Sequence, residues 1–324
     1  MSQFKTLSDV WDDPTREWPS VVYVETTNRC NARCLSCLNL ECRKTRGTMD
    51  MSTFKAICEV IADHGQKIHA MFCFGEPLLD PTLTDKYAYA QRAGVLRLDH
   101  CGLNTNVSML TPDRYDGILQ HTPNITLSFF NVGSEYERLT GLSWDLCYGN
   151  ALRFLDYREI HSINYPVAIG VNKVQGYDLD AVKQAFAGRR VNWAQDAEIR
   201  WGGSAVTGVI DRTIMYPWWR CDGHKGALQV KWNGNCEFCA YDIVGTEAGI
   251  GETYIGNILT DSWETIGQNF RERWRAGCSL CARCDYWHRG DSIISNDAKR
   301  PDPLPSDWYD WQLSLLKEGE HVRD

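Results

Sequence analysis

A loop with three cysteines, directly after a short apolar run, constrains this chain more than any other stretch. The segment VVYVETTNRCNARCLSC covers residues 21–37, and its thiols are Cys30, Cys34 and Cys37, spaced C-x3-C-x2-C. The β-branched run predicts a buried strand that ends in the cysteine loop. Three thiols cannot all pair as disulfides, and a zinc site needs a fourth ligand that is not obvious nearby. A 4Fe–4S cluster held by three thiolates, with one iron left open, fits better than zinc or coincidence.

The composition is that of an ordinary soluble globular protein. The 324 residues are 43% hydrophobic and 23% charged, which is enough for one large domain and a smaller one. The sequence shows no stretch of eighteen apolar residues and no secretion signal, so we expect no membrane span and a cytoplasmic location. Fourteen cysteines in a reducing compartment indicate metal binding rather than disulfides. The net charge of −8 disfavours nucleic acid and favours a neutral or cationic substrate.

Hydrophobic periodicity predicts six strand-then-helix units in succession. The strands are expected near residues 21–24, 67–74, 95–101, 125–129, 166–172 and 197–201, and the helices near 50–64, 83–93, 112–120, 144–158 and 178–187. Strands that alternate with helices lie parallel and are joined by right-handed crossovers. The sequence therefore predicts an α/β fold, either an open or full barrel or a doubly wound sheet.

Polar residues follow the predicted strands at the ends where both of these architectures bind ligands. Gly75, Glu76 and Pro77 follow the second strand, and the third ends near Asn104-Thr105-Asn106. Ser128 and Asn172 end later strands. Each has an ordinary alternative, since Gly-Glu-Pro is commonly a turn and single polar residues often cap the next helix.

The cysteine loop and these strand ends resemble the radical S-adenosylmethionine (SAM) superfamily over roughly residues 20–205. The resemblance implies a partial (β/α)6 barrel, with SAM on the open iron of the cluster held by the three cysteines. It also implies that Gly75, Glu76 and Pro77 contact the SAM amino group, although Phe74 stands where the family has another glycine. Asn104 and Asn106 would lie beside SAM, and Ser128 and Asn172 would contact its ribose and carboxylate. The family's aromatic residue before the last cysteine is Ser36 here, which leaves the adenine contact unassigned.

A second group of six thiols lies near the C-terminus. They are Cys221, Cys236, Cys239, Cys278, Cys281 and Cys284. A hairpin is predicted through the Asn233-Gly234 turn, and a helix is expected to begin at Asp261 or Ser262. By spacing alone, the two C-x2-C pairs leave open a zinc ribbon as well as an iron–sulfur site.

The pattern of these thiols after the barrel resembles the Twitch domain, the one-cluster form of the SPASM domain, and the tail is similar to that of butirosin-type aminocyclitol dehydrogenases. The resemblance implies a second 4Fe–4S cluster on Cys221, Cys236, Cys281 and Cys284, with Cys239 and Cys278 spare. The expected division is a lead-in at 1–19, the partial barrel at 20–210, the auxiliary-cluster domain at 211–290, and a tail at 291–324 packed on the barrel.

The resemblance implies an oxidoreductase with two 4Fe–4S clusters and SAM, supplied with electrons by a protein such as flavodoxin or ferredoxin. Its substrate would be a small polyhydroxylated or amino-sugar-like molecule, with an alcohol oxidised to a ketone. Three alternatives stay open: an epimerase with a cysteine hydrogen donor, a ribosomal-peptide-modifying enzyme, and a non-catalytic iron–sulfur or zinc module. The candidate hydrogen donors are Cys239 and Cys278, followed by Cys73 and Cys101.

Four further residues have predicted roles at or near the site. Arg200 lies in a segment that resembles a substrate-contacting stretch of the dehydrogenases, and we expect it to reach the substrate. Glu25, on the first strand, either binds substrate or faces a basic helix. His69 and His100 flank strands and are expected to be structural.

Overall fold

The computed structural model describes residues 21–35, 37, 39, 42–97, 101–122, 124–172, 177–196, 227–239 and 242–276. Several predicted positions lie outside these residues: Ser36, His100, Arg200, Cys221, Cys278, Cys281, Cys284, and the segments 1–19 and 291–324. None of the helices in the described part of the chain has both the length and the apolar character that a membrane span requires.

A single nine-stranded sheet runs through the described part of the chain, in the order β6-β5-β4-β3-β2-β1-β7-β8-β9. Strands β1 to β7 pair with one another in parallel, whereas β8 pairs antiparallel with both β7 and β9. The strands are β1 (Val21–Val24), β2 (Ile68–Ala70), β3 (Gly102–Thr105), β4 (Asn124–Ser128), β5 (Val167–Asn172), β6 (Asn192–Asp196), β7 (Ala227–Val230), β8 (Asn235–Glu237) and β9 (Tyr254–Asn257).

Helices connect the parallel strands, as the alternating pattern predicts. They are α1 (Met51–Asp63), α2 (Leu83–Arg92), α3 (Tyr115–His121), α4 (Gly133–Thr140), α5 (Trp144–Ile160), α6 (Leu179–Ala185) and α7 (Trp263–Ala276), with 3-10 turns at Pro77–Leu79 and Pro112–Arg114. Asp50 caps α1 by accepting from the backbone N–H of Thr53 at 2.7 Å. The parallel α/β architecture is confirmed.

One strand position was predicted wrongly. The third strand occupies Gly102–Thr105 rather than 95–101, because the apolar Val95 and Leu96 are buried in the segment that leads to it, with Leu96 bridging Ile68. The sixth strand of the sheet is Asn192–Asp196, and the predicted strand at 197–201 lies outside the described residues. Helix α4, between β4 and the long helix α5, was not predicted at all. It is short and polar on its exposed side, and its periodic signal is correspondingly weak.

The two faces of the sheet differ in chemistry. On one face, Val22 and Val24 of β1 share the apolar core with Leu228 and Val230 of β7 and with helix residues such as Phe54. Because side chains alternate along a strand, the residues between them lie on the opposite, inner face. That inner face carries polar groups from both strands and their ends: Tyr23, Glu25, Gln229 and Lys231. Helices therefore cover the apolar face, and the polar face is left for a ligand.

The predicted C-terminal hairpin is confirmed, with β7 and β8 joined at Asn233-Gly234, where Gly234 has φ +84°. A left-handed position of this kind favours glycine. The hairpin is an extension of the barrel sheet, since Val21–Val24 of β1 pair in register with Ala227–Val230. Helix α7 begins one residue after the predicted Ser262, whose side chain accepts from Thr265 N at 3.1 Å.

Candidate active site

The three thiols of the cysteine loop lie half-buried beyond the carboxyl end of β1. The loop is fixed on one side by α4, because Arg33 N donates to Thr140 O at 2.7 Å and Leu35 N donates to Leu139 O at 2.9 Å. On the other side, the Asn28 side chain donates to Thr45 O at 2.8 Å and accepts from Gly47 N at 2.9 Å. Hydrogen bonds on both sides therefore fix the backbone of the loop that carries the thiols.

Burial raises the pKa of all three thiols of the loop, and neighbouring thiols add to the rise for Cys34 and Cys37. Burial raises the pKa of the Cys34 thiol to about 12, and the neighbouring Cys37 and Cys30 add to the rise. Burial likewise raises the pKa of Cys30 and of Cys37. Such thiols ionise only beside a group of positive charge. Within the described residues, no three His, Cys, Asp or Glu side chains are grouped so as to hold one metal ion. The chemistry of the three thiols fits an iron–sulfur cluster, whose irons would supply the positive charge that the thiolates need.

The Gly75-Glu76-Pro77 turn packs directly on the backbone that leads to Cys30. Gly75 has φ +88°, and a Cβ there would approach Arg29 O and Thr27 O to 2.7 and 2.8 Å. The backbone N–H of Glu76 donates to Arg29 O at 2.8 Å. Glycine is required at position 75 by both its conformation and this close approach. The turn and the cysteine loop therefore form one structural unit.

The carboxylate of Glu76 is buried and forms its hydrogen bonds with other groups of the protein. It is 2% exposed and accepts hydrogen bonds from Leu78 N at 3.1 Å, Thr105 Oγ1 at 2.7 Å and Asn106 N at 2.6 Å. Burial raises the pKa of Glu76 to about 7, although these hydrogen bonds act in the opposite direction. The side chain thus joins the ends of β2 and β3, a role that sequence reasoning did not foresee.

The other predicted SAM contacts are spread along the same edge of the sheet. Asn104 is exposed on β3 and pairs in register with Thr126 of β4. Ser128 is half-buried at the end of β4, and Asn172 is the last residue of β5, although its side chain lies outside the described part. Asn106 is half-buried just beyond β3, with its amide close to Cys30.

A network of buried charges lies on the inner face, and sequence reasoning had singled out only Glu25 and Cys73 within it. The Lys231 ammonium lies 3.6 Å from Glu25 Oε2, 3.3 Å from Glu237 Oε2 and 3.3 Å from Cys73 Sγ. Burial opposes the charge on Lys231, but Cys73, Glu237 and Glu25 together raise its pKa well above the usual value. Glu25 thus faces a lysine of the C-terminal hairpin and not a basic helix.

The same network of buried charges extends to residues 43–45, which follow the cysteine loop. Lys44 Nζ donates to both oxygens of Glu237, at 2.8 and 2.7 Å, and lies 3.7 Å from Asp242 Oδ1. Arg43 N donates to Val244 O and Thr45 N to Gly249 O, so that two backbone hydrogen bonds reinforce the contact. The C-terminal segment therefore braces the cysteine loop.

The candidate hydrogen-donor thiols occupy different surroundings. Cys73 is half-buried on the inner face and donates to Gln229 Oε1 at 3.1 Å, and burial raises its pKa to about 11, which keeps it protonated at neutral pH. Cys101 is fully buried in the apolar core beside Tyr87, away from the inner face. Cys236 is also fully buried, on β8, and Cys239 is half-buried against the core. Apart from the thiols, His69, which was expected to be structural, accepts a hydrogen bond from Val22 N at 3.3 Å.

Comparison with solved structures assigns the architecture. SuiB of Streptococcus suis, bound to its precursor peptide SuiA, matches with a TM-score of 0.57 at 11% identity, over 80% of this chain and 65% of SuiB. The anSMEcpe structure with AdoMet and the Cp18Cys peptide matches with a TM-score of 0.55 at 11% identity, over 94% and 99%. The fold is the partial barrel of radical SAM enzymes. BtrN in complex with AdoMet and 2-DOIA matches with a TM-score of 0.50 at 17% identity, over 90% and 97%.

These likenesses are at the level of the fold, because the identities are low. No protein-family model and no curated protein matches the chain. The chain spans 65% of the length of SuiB, whereas it spans nearly all of BtrN and anSMEcpe.

Proposed function

We propose that this chain is a radical SAM enzyme that takes a hydrogen atom from a C–H bond of a small polar substrate. One observation carries the proposal: Cys30, Cys34 and Cys37, in the C-x3-C-x2-C spacing, lie at the carboxyl edge of a partial barrel shared with radical SAM enzymes. This edge is where α/β folds of this kind bind their ligands.

Different residues at this edge have different proposed roles. Cys30, Cys34 and Cys37 would hold a 4Fe–4S cluster, which, with SAM on its open iron, supplies when bound the 5′-deoxyadenosyl radical that takes the hydrogen atom. The Gly75–Pro77 turn fixes the cysteine loop, and Asn104, Ser128 and Asn172 stand along the edge where SAM would extend. The barrel walls would exclude water from the reacting centre.

The inner face suits a polyhydroxylated or amino-sugar-like substrate. In the described part of the chain, the Nε2 donor of buried Gln229 has no hydrogen-bond partner, so a substrate hydroxyl could accept from it. The buried network contains three carboxylates, on Glu25, Glu237 and Asp242, against two ammonium groups, on Lys44 and Lys231. This excess of negative charge favours a neutral or cationic substrate.

For the reaction we propose oxidation of an alcohol to a ketone, with a second 4Fe–4S cluster on Cys221, Cys236, Cys281 and Cys284 as electron acceptor. Two observations support this proposal: Cys236 lies on a hairpin next to β1, and BtrN, a neighbour in fold, was solved with 2-DOIA bound. We also propose Arg200 as a substrate contact and an iron–sulfur or flavin protein as electron donor. Because SuiB and anSMEcpe were solved with peptides, peptides belong in the substrate panel.

The position of Cys73 favours epimerisation as a second candidate. In that reaction the substrate radical takes the hydrogen atom of the Cys73 S–H bond and a new C–H bond forms. The thiyl radical that remains needs one electron from the external electron donor and one proton from water. Its thiol is protonated and lies on the polar face, as such a donor requires.

Anaerobic reconstitution tests the proposal. We expect about eight irons per chain for two 4Fe–4S clusters, and about four after Cys30, Cys34 and Cys37 are all changed to Ala. The triple variant should form no 5′-deoxyadenosine from SAM under dithionite. Native protein with about one zinc and iron only at the first motif would contradict the second cluster. Failure of the wild type to cleave SAM would contradict the enzyme itself.

A further inference from the structure

The side chain of Asn106 has every hydrogen-bonding position occupied. Its Oδ1 accepts from Ser108 N at 3.1 Å and from Ser108 Oγ at 2.6 Å. Its Nδ2 donates to Asn31 Oδ1 at 3.0 Å and points at Cys30 Sγ, 3.9 Å away. A side chain amide has two donor hydrogens and one acceptor oxygen, so nothing is left over for another ligand. Asn106 is therefore poorly placed for the SAM contact that the resemblance implies.

The backbone at Asn106 is held as firmly as its side chain. The carboxylate of Glu76 accepts from Asn106 N at 2.6 Å. The next residue, Val107, has φ +71°, a left-handed conformation that a β-branched residue rarely adopts. Asn150 Nδ2, from α5, donates to Val107 O at 3.0 Å and Ser108 O at 3.1 Å, and so stabilises this turn. A strained turn maintained by buried side chains is a common sign of a functional constraint.

We infer that Asn106 is a positioning residue for the first cluster, one that donates a hydrogen bond to the Cys30 thiolate and raises the reduction potential of the cluster. The inference rests on the proposed function, since it requires a cluster on the cysteine loop. Hydrogen bonds to ligand sulfur stabilise the more negative, reduced cluster, and they are among the determinants of iron–sulfur potentials. Asn31, which follows Cys30 in the chain, receives the other Nδ2 hydrogen and so fixes the orientation of the amide.

The test compares Asn106→Ala with Asn192→Ala in the full-length reconstituted protein without SAM. Asn192 is the matched control because it is an exposed asparagine at the amino end of β6, at the edge of the sheet opposite the cysteine loop. Redox titration followed by EPR gives the potential of the cluster whose signal responds to later addition of SAM. We expect a lower potential in Asn106→Ala and an unchanged one in Asn192→Ala.

A second measurement does not depend on the variant folding. Protein labelled with [15N]asparagine is reduced, and pulsed EPR detects nitrogen coupled to the cluster. We expect a coupling in the wild type that persists in Asn192→Ala and is lost in Asn106→Ala. An unchanged potential in iron-replete Asn106→Ala overturns the inference. If that variant does not retain iron, absence of an asparagine coupling in the wild type overturns it instead.

The proposed function fails in a different way. If the wild-type protein binds iron only at the C-terminal thiols, or not at all, no SAM-responsive signal exists and the radical SAM assignment itself is contradicted. A SAM-responsive signal without the asparagine coupling leaves that assignment in place and contradicts only the role of Asn106.

Discussion

The carboxylate of Glu76 accepts a 2.6 Å hydrogen bond from the backbone N–H of Asn106, and thereby ties the turn after β2 to the end of β3. Two residues that the sequence suggested as SAM contacts are thus partners of each other. The same carboxylate caps the Pro77–Leu79 turn through Leu78 N. These hydrogen bonds to the Glu76 carboxylate, here called the brace, therefore stabilise the edge of the sheet that carries the cysteine loop.

Replacement of Glu76 by Ala should remove this brace. From the sequence we expect weaker SAM binding with the cluster little disturbed. The buried position of the carboxylate adds a loss of stability, because each buried donor left without an acceptor costs about 1–3 kcal/mol. Denaturant unfolding of the apo protein, with the surface variant Glu135→Ala as control, measures the effect. A Glu76→Ala protein as stable as the control would contradict the brace, and normal SAM binding by calorimetry would leave Gly-Glu-Pro as a turn only.

The titration of Glu76 should appear in the pH dependence of stability. Its pKa is about 7 in the folded protein against 4.5 for the ordinary side chain, so the folded state binds more protons between these values. Stability from this group is present below about pH 4.5 and falls as the pH rises to about 7, by up to about 3 kcal/mol. The difference in unfolding free energy between wild type and Glu76→Gln, measured across this range, should show that slope. A difference that does not change with pH would contradict the raised pKa.

Much of the fold could be predicted from the sequence, because strand and helix periodicity is a local signal. The strand before Cys30, the hairpin at Asn233-Gly234 and the cap at Asp50 each follow from a few neighbouring residues. The third strand was misplaced because Val95 and Leu96 are as apolar as a strand but are buried in a connecting segment.

The polar side of the site could not be predicted in the same way. Lys231 contacts Glu25 and Cys73, which lie 206 and 158 positions away in the sequence. These contacts exist only because β7 pairs with β1. Neither strand carries a sequence signal for that pairing. Glu76 was recognised from its motif, yet the direction of its carboxylate depends on Thr105 and Asn106 of the next strand.

The buried ion pair of Lys44 and Glu237 should matter far more than the exposed pair beside it. Lys44 and Glu237 are nearly inaccessible, whereas Arg43 and Glu247, which join the same two segments at 3.4 Å, have side chains that are 56% and 89% exposed. Loss of one partner of a buried pair costs about 3–5 kcal/mol, and an exposed pair contributes about 0–1 kcal/mol. Lys44→Met should therefore be strongly destabilised, and Arg43→Ala nearly unchanged.

Unfolding midpoints and iron retention measure both variants. Because Lys44 lies on the arm after the cysteine loop, Lys44→Met should also lose iron from the first cluster more quickly during gel filtration. The double variant Lys44→Met/Glu237→Leu should recover part of the stability, since the buried network then loses one carboxylate together with one ammonium, and Lys231 keeps its contact with Glu25. Equal stability of Lys44→Met and Arg43→Ala would show that the C-terminal segment does not brace the loop.

The last prediction separates oxidation from epimerisation through Cys73, a thiol that lies on the inner face. For an alcohol oxidation, the product is two mass units lighter than the substrate, and turnover in deuterium oxide leaves no deuterium at the reacting carbon. Cys73→Ser should then turn over at nearly the wild-type rate, since a hydroxyl can still donate to Gln229 Oε1 as the thiol does. Mass spectrometry of products from a panel of polyols, amino sugars and peptides provides the measurement.

For an epimerisation, the product is isomeric with the substrate and carries one deuterium from the exchangeable S–H. Cys73→Ser should abolish that turnover because an O–H bond does not give up its hydrogen atom to a carbon radical, whereas Cys101→Ala, which changes a thiol in the apolar core, should not. We expect the first pattern, and solvent deuterium in an isomeric product that disappears in Cys73→Ser would establish the second.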